Sequence, residues 1–162
     1  MSAMSKAKYK ILSFSTTMRN PKRIVDFLKT LLPYEHRILT HELIMQIITN
    51  LITNKIYVPN YAKSHFNDIV DSDEPFSGAQ AQEIIENSPQ KHKEAGFEKG
   101  WDSRFDTFYK LSMEFGFCFY AMNEPLLISN TGHLLINALN ENPSNARIPT
   151  MKVVKQKLQI FF

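Results

Sequence analysis

The sequence has little cysteine and no long apolar segment. Cys118 is the only cysteine among 162 residues, so no internal disulfide can form, and its apolar surroundings predict a buried, inert thiol. No run approaches the about 20 apolar residues of a membrane span. Residues 1–10 are too polar and basic for a signal peptide. These absences predict a cytoplasmic chain without a membrane partner.

Signatures of catalysis are also missing. The five histidines share no metal-ligand spacing, and the five glycines form no phosphate-binding loop. No Asp or Glu is followed two positions later by Lys, the arrangement that sets a carboxylate and a lysine on one strand face in magnesium-dependent nucleases. The sequence therefore predicts no catalytic residue, no metal ligand and no cofactor in this chain.

What is present is ordinary globular material with an uneven distribution of charge. Hydrophobic residues make up 43% and charged residues 22% of the chain, and the net charge is +3. Residues 1–70 carry ten Lys and Arg against four Asp and Glu, whereas residues 71–114 carry five against ten. A basic first part is what a polyphosphate partner requires, although a solvated surface can have the same composition.

Apolar spacing predicts a mainly α fold with short β-strands (α+β). It indicates a strand in 8–17 and helices over 22–32, from Thr40 to Asn54, over 79–87, from Asp102 or Ser103 to Gly116, and over 131–139. Residues 60–78 are interpreted as a solvated connection, and 117–122 with 126–128 as a hairpin. The elements after residue 101 have the order of a winged-helix or helix-turn-helix module: helix, glycine, strand, turn, strand and helix.

Three parts are predicted along the chain. Residues 1–70 form an N-terminal strand plus a basic two-helix part, and residues 71–145 form a winged-helix-like part. Residues 146–162 form a C-terminal segment that ends on an apolar Ile-Phe-Phe. A polar end is more usual, so we expect a truncated or frame-shifted product, or else a terminal helix that docks into the core.

Two constellations predict contacts with DNA. The first precedes and opens the helix at 22, where hydroxyl groups, backbone N–H groups and cations suit phosphate; its alternative is a capped helix with a basic first turn. It comprises Thr16, Thr17, Arg19, Asn20, Lys22 and Arg23. The second is the outward face of the helix after 101, with Arg104, Thr107 and Lys110; its alternative is a solvated face.

Three stretches resemble a known family. They are 13–23 (Ser-Phe-Ser-Thr-Thr-Met-Arg-Asn-Pro-Lys-Arg), 38–44 (Ile-Leu-Thr-His-Glu-Leu-Ile) and 117–139, which contains Ile-Ser-Asn-Thr-Gly-His-Leu-Leu. They look like the N-terminal DNA-recognition part of AlwI-type type IIS restriction endonucleases, and the resemblance covers most of 10–145. It implies that winged-helix modules read a short asymmetric site, while a separate magnesium-dependent nuclease domain, absent here, cuts nearby.

The resemblance implies that the chain binds double-stranded DNA specifically and works with a nuclease chain or domain. Residues after about 145 no longer follow the family pattern. Two alternatives remain. The chain could be a stand-alone winged-helix transcriptional regulator, or a protein-interaction domain that never touches DNA.

Overall fold

The computed structural model describes residues 22–141, with side chains from 23 to 138. The predicted strand in 8–17 and the segment 146–162 lie outside these residues. The described part is mainly helical with one small antiparallel sheet, as the sequence predicts. The elements are α1 (Lys22–Leu31), α2 (His41–Thr53), α3 (Asn60–His65), α4 (Asn67–Asp71), α5 (Gly78–Glu86), α6 (Trp101–Glu114), β1 (Cys118–Phe119), β2 (Leu127–Ile128) and α7 (Asn130–Glu141).

Helix α2 begins and ends where its sequence predicts. The Thr40 side chain accepts a hydrogen bond from the Leu43 N–H at 3.2 Å, so it caps the helix, and Glu42 lies in the first turn beside the positive end of the helix dipole. The apolar side chains at helical spacing are all buried: Leu43, Ile44, Ile47, Ile48, Leu51 and Ile52.

Helix α6 is the central helix, and its beginning differs from the prediction. We expected Asp102 or Ser103 as the N-cap, but Gly100 occupies that position and both residues lie buried inside the first turn. Their side chains bind neighbouring segments instead. Asp102 Oδ1 lies 2.8 Å from His41 Nδ1, and the Ser103 hydroxyl donates to the Glu98 carbonyl at 2.6 Å.

The hairpin after α6 is shorter than predicted. Gly116 ends the helix region with φ of 67°, in the left-handed conformation expected of it. Strands β1 and β2 have two residues each, with Cys118 opposite Ile128 and Phe119 opposite Leu127. An isolated bridge joins Ile38 to Pro125, so the segment between α1 and α2 lies beside the hairpin. The winged-helix type stays a prediction from the sequence.

One hydrophobic core joins helices from both predicted parts. Helix α1 packs against α2, α6 and α7, and α2 packs against α5 and α6. Buried aromatic rings fill the centre: the centroids of Phe27 and Phe108 lie 5.3 Å apart, and those of Phe105 and Tyr109 lie 4.8 Å apart. Cys118 is fully buried, which raises the pKa of its thiol to about 12. The predicted burial of the thiol is therefore confirmed.

The segment 60–78 is largely exposed, as predicted for a solvated connection, but it is not an irregular loop. It contains α3 and α4, which the sequence did not reveal because each is too short for an apolar period to show. Ala62 and Phe76 are buried in the main core. The predicted helix at 79–87 is confirmed as α5, where Ser77 and Gln80 form a capping box.

Candidate functional site

A cavity of about 680 Å³ lies where α1, the α2–α3 connection, the α5–α6 connection and α6 meet. Four cationic residues line it, together with tyrosines and polar side chains from the two connections. As far as residues 22–141 show, its lining includes no Asp or Glu. We call it the basic pocket. Its cationic residues are Arg23, Lys55, Lys63 and Arg104.

Arg104 is held on several sides. Its Nη2 donates to the Tyr57 hydroxyl at 3.2 Å, and its Nη1 lies 2.8 Å from His92 Nε2. The guanidinium carbon lies 5.1 Å from the centroid of the Tyr57 ring and 4.8 Å from that of Phe108. Cation–π contacts of this kind favour the charged guanidinium. Arg104 is therefore a fixed positive charge on the pocket wall.

His92 supports Arg104 as a neutral imidazole. Burial, followed by repulsion from the Arg104 guanidinium, lowers the pKa of His92 below its ordinary 6.5, while Glu94 acts in the opposite direction. At neutral pH the imidazole is therefore uncharged. Because an arginine cannot accept a hydrogen bond, Nε2 of His92 is the acceptor in this contact.

Arg23 reaches the same pocket from α1. Its Nη2 donates to the Ile56 carbonyl at 2.6 Å, and its guanidinium carbon lies 5.5 Å from the Phe27 ring centroid. The side chain is half-buried. Arg23 thus ties the start of α1 to the α2–α3 connection and places a second guanidinium in the pocket wall.

The two lysines of the pocket differ. The Lys55 ammonium donates to the carbonyls of Ile69 and Ser72, so it also closes the turn after α4. Lys63 is exposed on α3. Strongly hydrated and flexible, an exposed ammonium of this kind can attract an anion without fixing its orientation.

Two donor groups of pocket-lining residues have no acceptor within the described part of the chain. They are the Ser88 hydroxyl and Nε of Arg104, and both atoms are buried. Buried donors without partners are rare and costly in native proteins. Both atoms have almost no accessible surface, so they do not face the open cavity; the four cations and the absence of acidic residues from the described lining are what suit an anion.

The structure brings together one residue from each predicted constellation. Arg23 and Arg104 line the basic pocket, although they are far apart in sequence. The Lys22 backbone begins α1, but its side chain is outside the described set. The remaining residues of the first constellation lie outside the described range: Thr16, Thr17, Arg19 and Asn20.

The outward face predicted for α6 is largely absent. Only Lys110 and Glu114 are exposed on this helix. The loop before α6 contacts its first turns, where His92 meets Arg104. Thr107 is half-buried and its hydroxyl donates to the Ser103 carbonyl at 3.0 Å. Lys110 Nζ lies 3.4 Å from a Glu94 carboxylate oxygen and 3.7 Å from one of Asp106, so acids partly neutralise it. Neither Thr107 nor Lys110 lines the pocket.

Sequence reasoning missed the residues that α3 and the two connections supply. Tyr57, Tyr61 and Ser88 lie in stretches without any apolar period, which were treated only as boundaries between helices. The two tyrosines flanked by two lysines in 55–63 are the one signal that could have marked this part of the pocket, since aromatic and basic residues occur together in nucleic-acid sites.

The buried carboxylates of α6 have structural partners. Burial raises the pKa of Asp106, and its Oδ1 accepts a hydrogen bond from the Tyr120 hydroxyl at 3.0 Å. Over residues 22–141, no group of three His, Cys, Asp or Glu side chains is placed to hold a metal ion. These residues therefore offer no fit for the magnesium that the resemblance implies for a nuclease domain. No helix in the same range is long and apolar enough to cross a bilayer.

Comparison of the chain with protein-family models, with curated proteins and with solved structures gave no match.

Proposed function

We propose that this chain binds double-stranded DNA sequence-specifically, as the recognition portion of a type IIS-like restriction endonuclease whose nuclease domain lies outside these residues. The observation that supports DNA binding is the basic pocket. It joins Arg23 and Arg104, two cations predicted from separate stretches to contact DNA, and none of its described lining residues is acidic. The link to restriction enzymes rests on the sequence resemblance alone.

Phosphate is the chemistry that this pocket fits best. Arginine binds phosphate oxygens through paired donors, and lysine adds charge to the same contact. The positions of Arg23 and Arg104 are fixed before binding by the Ile56 carbonyl and the Tyr57 hydroxyl. A phosphate bound there costs little side-chain entropy, because both guanidinium groups are already ordered.

Sequence reading has to come from other residues. Phosphate contacts set the position of a protein on DNA, whereas contacts to base edges set specificity. Because α6 exposes only Lys110 and Glu114, it offers a narrow face to a groove. We therefore assign base contacts to the stretch 16–20, the part of the first constellation that lies outside the described residues.

The test is a titration of short labelled duplexes followed by fluorescence anisotropy at fixed salt. Arg23→Gln and Arg104→Gln should each weaken binding roughly tenfold, as expected when a charge-assisted hydrogen bond is lost. Arg37→Gln is the matched control, since Arg37 is exposed, binds Gln46 and does not line the pocket. Equal affinity for all three variants, with folding verified by circular dichroism, contradicts the proposal.

One observation favours the protein-interaction alternative. Ile38 and Phe119 are each 49% exposed, and Leu127, opposite Phe119 in the hairpin, is also exposed. Exposed apolar groups on neighbouring strands are typical of partner-binding surfaces. Under the DNA-binding proposal Phe119→Thr leaves duplex affinity unchanged. If the chain is instead an interaction domain, it shows no salt-dependent duplex binding at all.

A further inference from the structure

The shape of the basic pocket sets a condition on its ligand. The pocket is concave, with a volume of about 680 Å³, which lies within the roughly 300–1,000 Å³ of small-molecule sites. A paired duplex presents its phosphates on a convex outer surface. It can touch the rim of a cavity, but it cannot fill one. Only a part of the DNA that projects from the duplex can fill the cavity.

The lining fits such a part in two respects. The cations suit a phosphate, as argued above. The other walls are aromatic, aliphatic or amide-bearing, and they include Tyr57, Tyr61, Pro59, Asn60 and Gln90. The Tyr61 ring stacks on His65 with centroids 4.0 Å apart, which leaves one face for a nucleobase, whereas the Tyr57 ring already packs against Phe108. Amide side chains hydrogen-bond to base edges.

The amides keep hydrogen-bonding capacity for a ligand. Gln90 donates through Nε2 to the Ser88 carbonyl at 2.7 Å, which orients the side chain and leaves its second N–H and its oxygen for further bonds. Asn60 is exposed at the first position of α3. The pocket thus combines a phosphate-binding set with groups that can hydrogen-bond to the base of a single nucleotide.

We propose that the basic pocket receives one unstacked nucleotide of the bound DNA, with the phosphate at Arg23, Lys63 and Arg104 and the base among Tyr57, Tyr61 and the two amides. This inference rests on the proposed DNA binding and specifies which part of the DNA enters. Removing a base from the stack costs energy, and that cost is smallest for a base that is already unpaired.

The experiment compares two duplexes that differ only by a single-nucleotide bulge. The bulged duplex should bind roughly tenfold tighter than the fully paired one, because its extra nucleotide is already free to enter the pocket. Arg104→Gln should remove most of this preference. Asn60→Ala should lower affinity for the bulged duplex, while Asn67→Ala, at the matching first position of α4 and outside the pocket, should not.

A second measurement adds a free nucleotide to the protein and follows the fluorescence of its single tryptophan. Trp101 packs edge-on against Tyr57, with ring centroids 6.3 Å apart, so its fluorescence reports on the pocket wall. A deoxynucleoside monophosphate should change Trp101 emission at lower concentration than inorganic phosphate or the deoxynucleoside. If phosphate alone binds as tightly, the base has no place in the pocket and the inference is wrong.

The outcomes separate this inference from the proposed function. Equal affinity for bulged and paired duplexes, both weakened by Arg104→Gln, overturns the inference and leaves DNA binding in place. Absence of binding to either duplex overturns both. A bulge preference that Arg104→Gln leaves intact places the nucleotide elsewhere and also overturns the inference.

Discussion

Nη1 of Arg104 lies 2.8 Å from Nε2 of His92, and this contact requires a neutral imidazole. The two residues come from different segments, α6 and the loop before it. Protonation of His92 would set two positive charges side by side in a half-buried position. The position of Arg104 in the basic pocket therefore depends on a group that becomes charged only when the pH falls below the ordinary range of histidine.

The free energy of unfolding should decrease as the pH is lowered, because His92 takes up a proton. Its pKa is below 6.5 in the folded chain and near 6.5 in the unfolded chain, so the unfolded state binds more protons as the pH falls through this range. The stabilisation is complete above pH 6.5 and is lost as the pH falls through the folded pKa. Urea denaturation at several pH values measures the effect.

His92→Gln is the matched variant for this measurement, because glutamine keeps an acceptor for Arg104 but does not titrate. Burial raises the pKa values of Asp26 and Asp106, so these two residues change stability in the opposite direction. Both are present in the parent protein and in the variant, so their effect cancels in the comparison. The variant should lose stability less steeply below pH 6.5 than the parent. Parallel curves for the two proteins would show that His92 is not the cause.

Gly132→Ala should destabilise the protein by about 1–3 kcal/mol, the usual cost of overpacking. A Cβ at this position of α7 would lie 2.3 Å from the Phe117 carbonyl oxygen and 2.8 Å from an Ile128 methyl group. Only glycine permits this approach of helix to hairpin. Thermal and urea denaturation measure the loss.

Gly78→Ala is the control for that prediction. Gly78 begins α5, and a Cβ there meets nothing within 4 Å. Alanine lowers the entropy of the unfolded chain, so this variant should be neutral or slightly stabilised, by up to about 1 kcal/mol. A loss at Gly78 as large as that at Gly132 would contradict the role given to the close contact.

The Thr30 and Tyr109 hydroxyl groups lie 2.6 Å apart in the core and form a hydrogen bond. Losing this bond should cost more when Thr30 is replaced than when Tyr109 is replaced. Tyr109→Phe leaves Thr30 its bond to the Phe27 carbonyl and should cost about 0.5–1.5 kcal/mol. Thr30→Val leaves the fully buried Tyr109 hydroxyl without a partner and should cost about 1–3 kcal/mol. The double variant should be less destabilised than the sum of the two. Strict additivity in a double-mutant cycle would contradict the pairing.

The purified chain should not cleave plasmid DNA in the presence of magnesium. No Asp or Glu in the sequence has Lys two positions later, and residues 22–141 hold no metal-binding cluster. Gel electrophoresis of supercoiled plasmid measures nicking and linearisation. Cleavage that persists through repurification, and that is abolished by a chelator, would contradict this prediction.

The sequence predicted the long elements well, because their signals are local. Thr40 caps α2, Gly116 takes the left-handed conformation, and the periodic apolar residues of α2 are buried. The sequence-based prediction of the N-cap of α6 was wrong. Asp102 and Ser103 are good capping residues by type, but long-range partners such as His41 hold them inside the helix.

The basic pocket could be predicted only in part. Arg23 and Arg104 were identified separately from their local surroundings, but their meeting depends on how α1 and α6 pack against each other. Lys110 was treated as a partner for DNA, yet Glu94 and Asp106 approach it. Tertiary contacts of this kind have no fixed spacing along the chain, so no local pattern reveals them.

The central claim is that the basic pocket binds DNA phosphate, and the salt dependence of duplex affinity tests it most directly. The logarithm of the binding constant should fall linearly with the logarithm of the salt concentration. In Arg104→Gln that slope should be smaller by about one unit, as expected when one phosphate contact is lost, while in Arg37→Gln it should match the parent. A slope near zero in the parent protein, or an identical slope in Arg104→Gln, would contradict the claim.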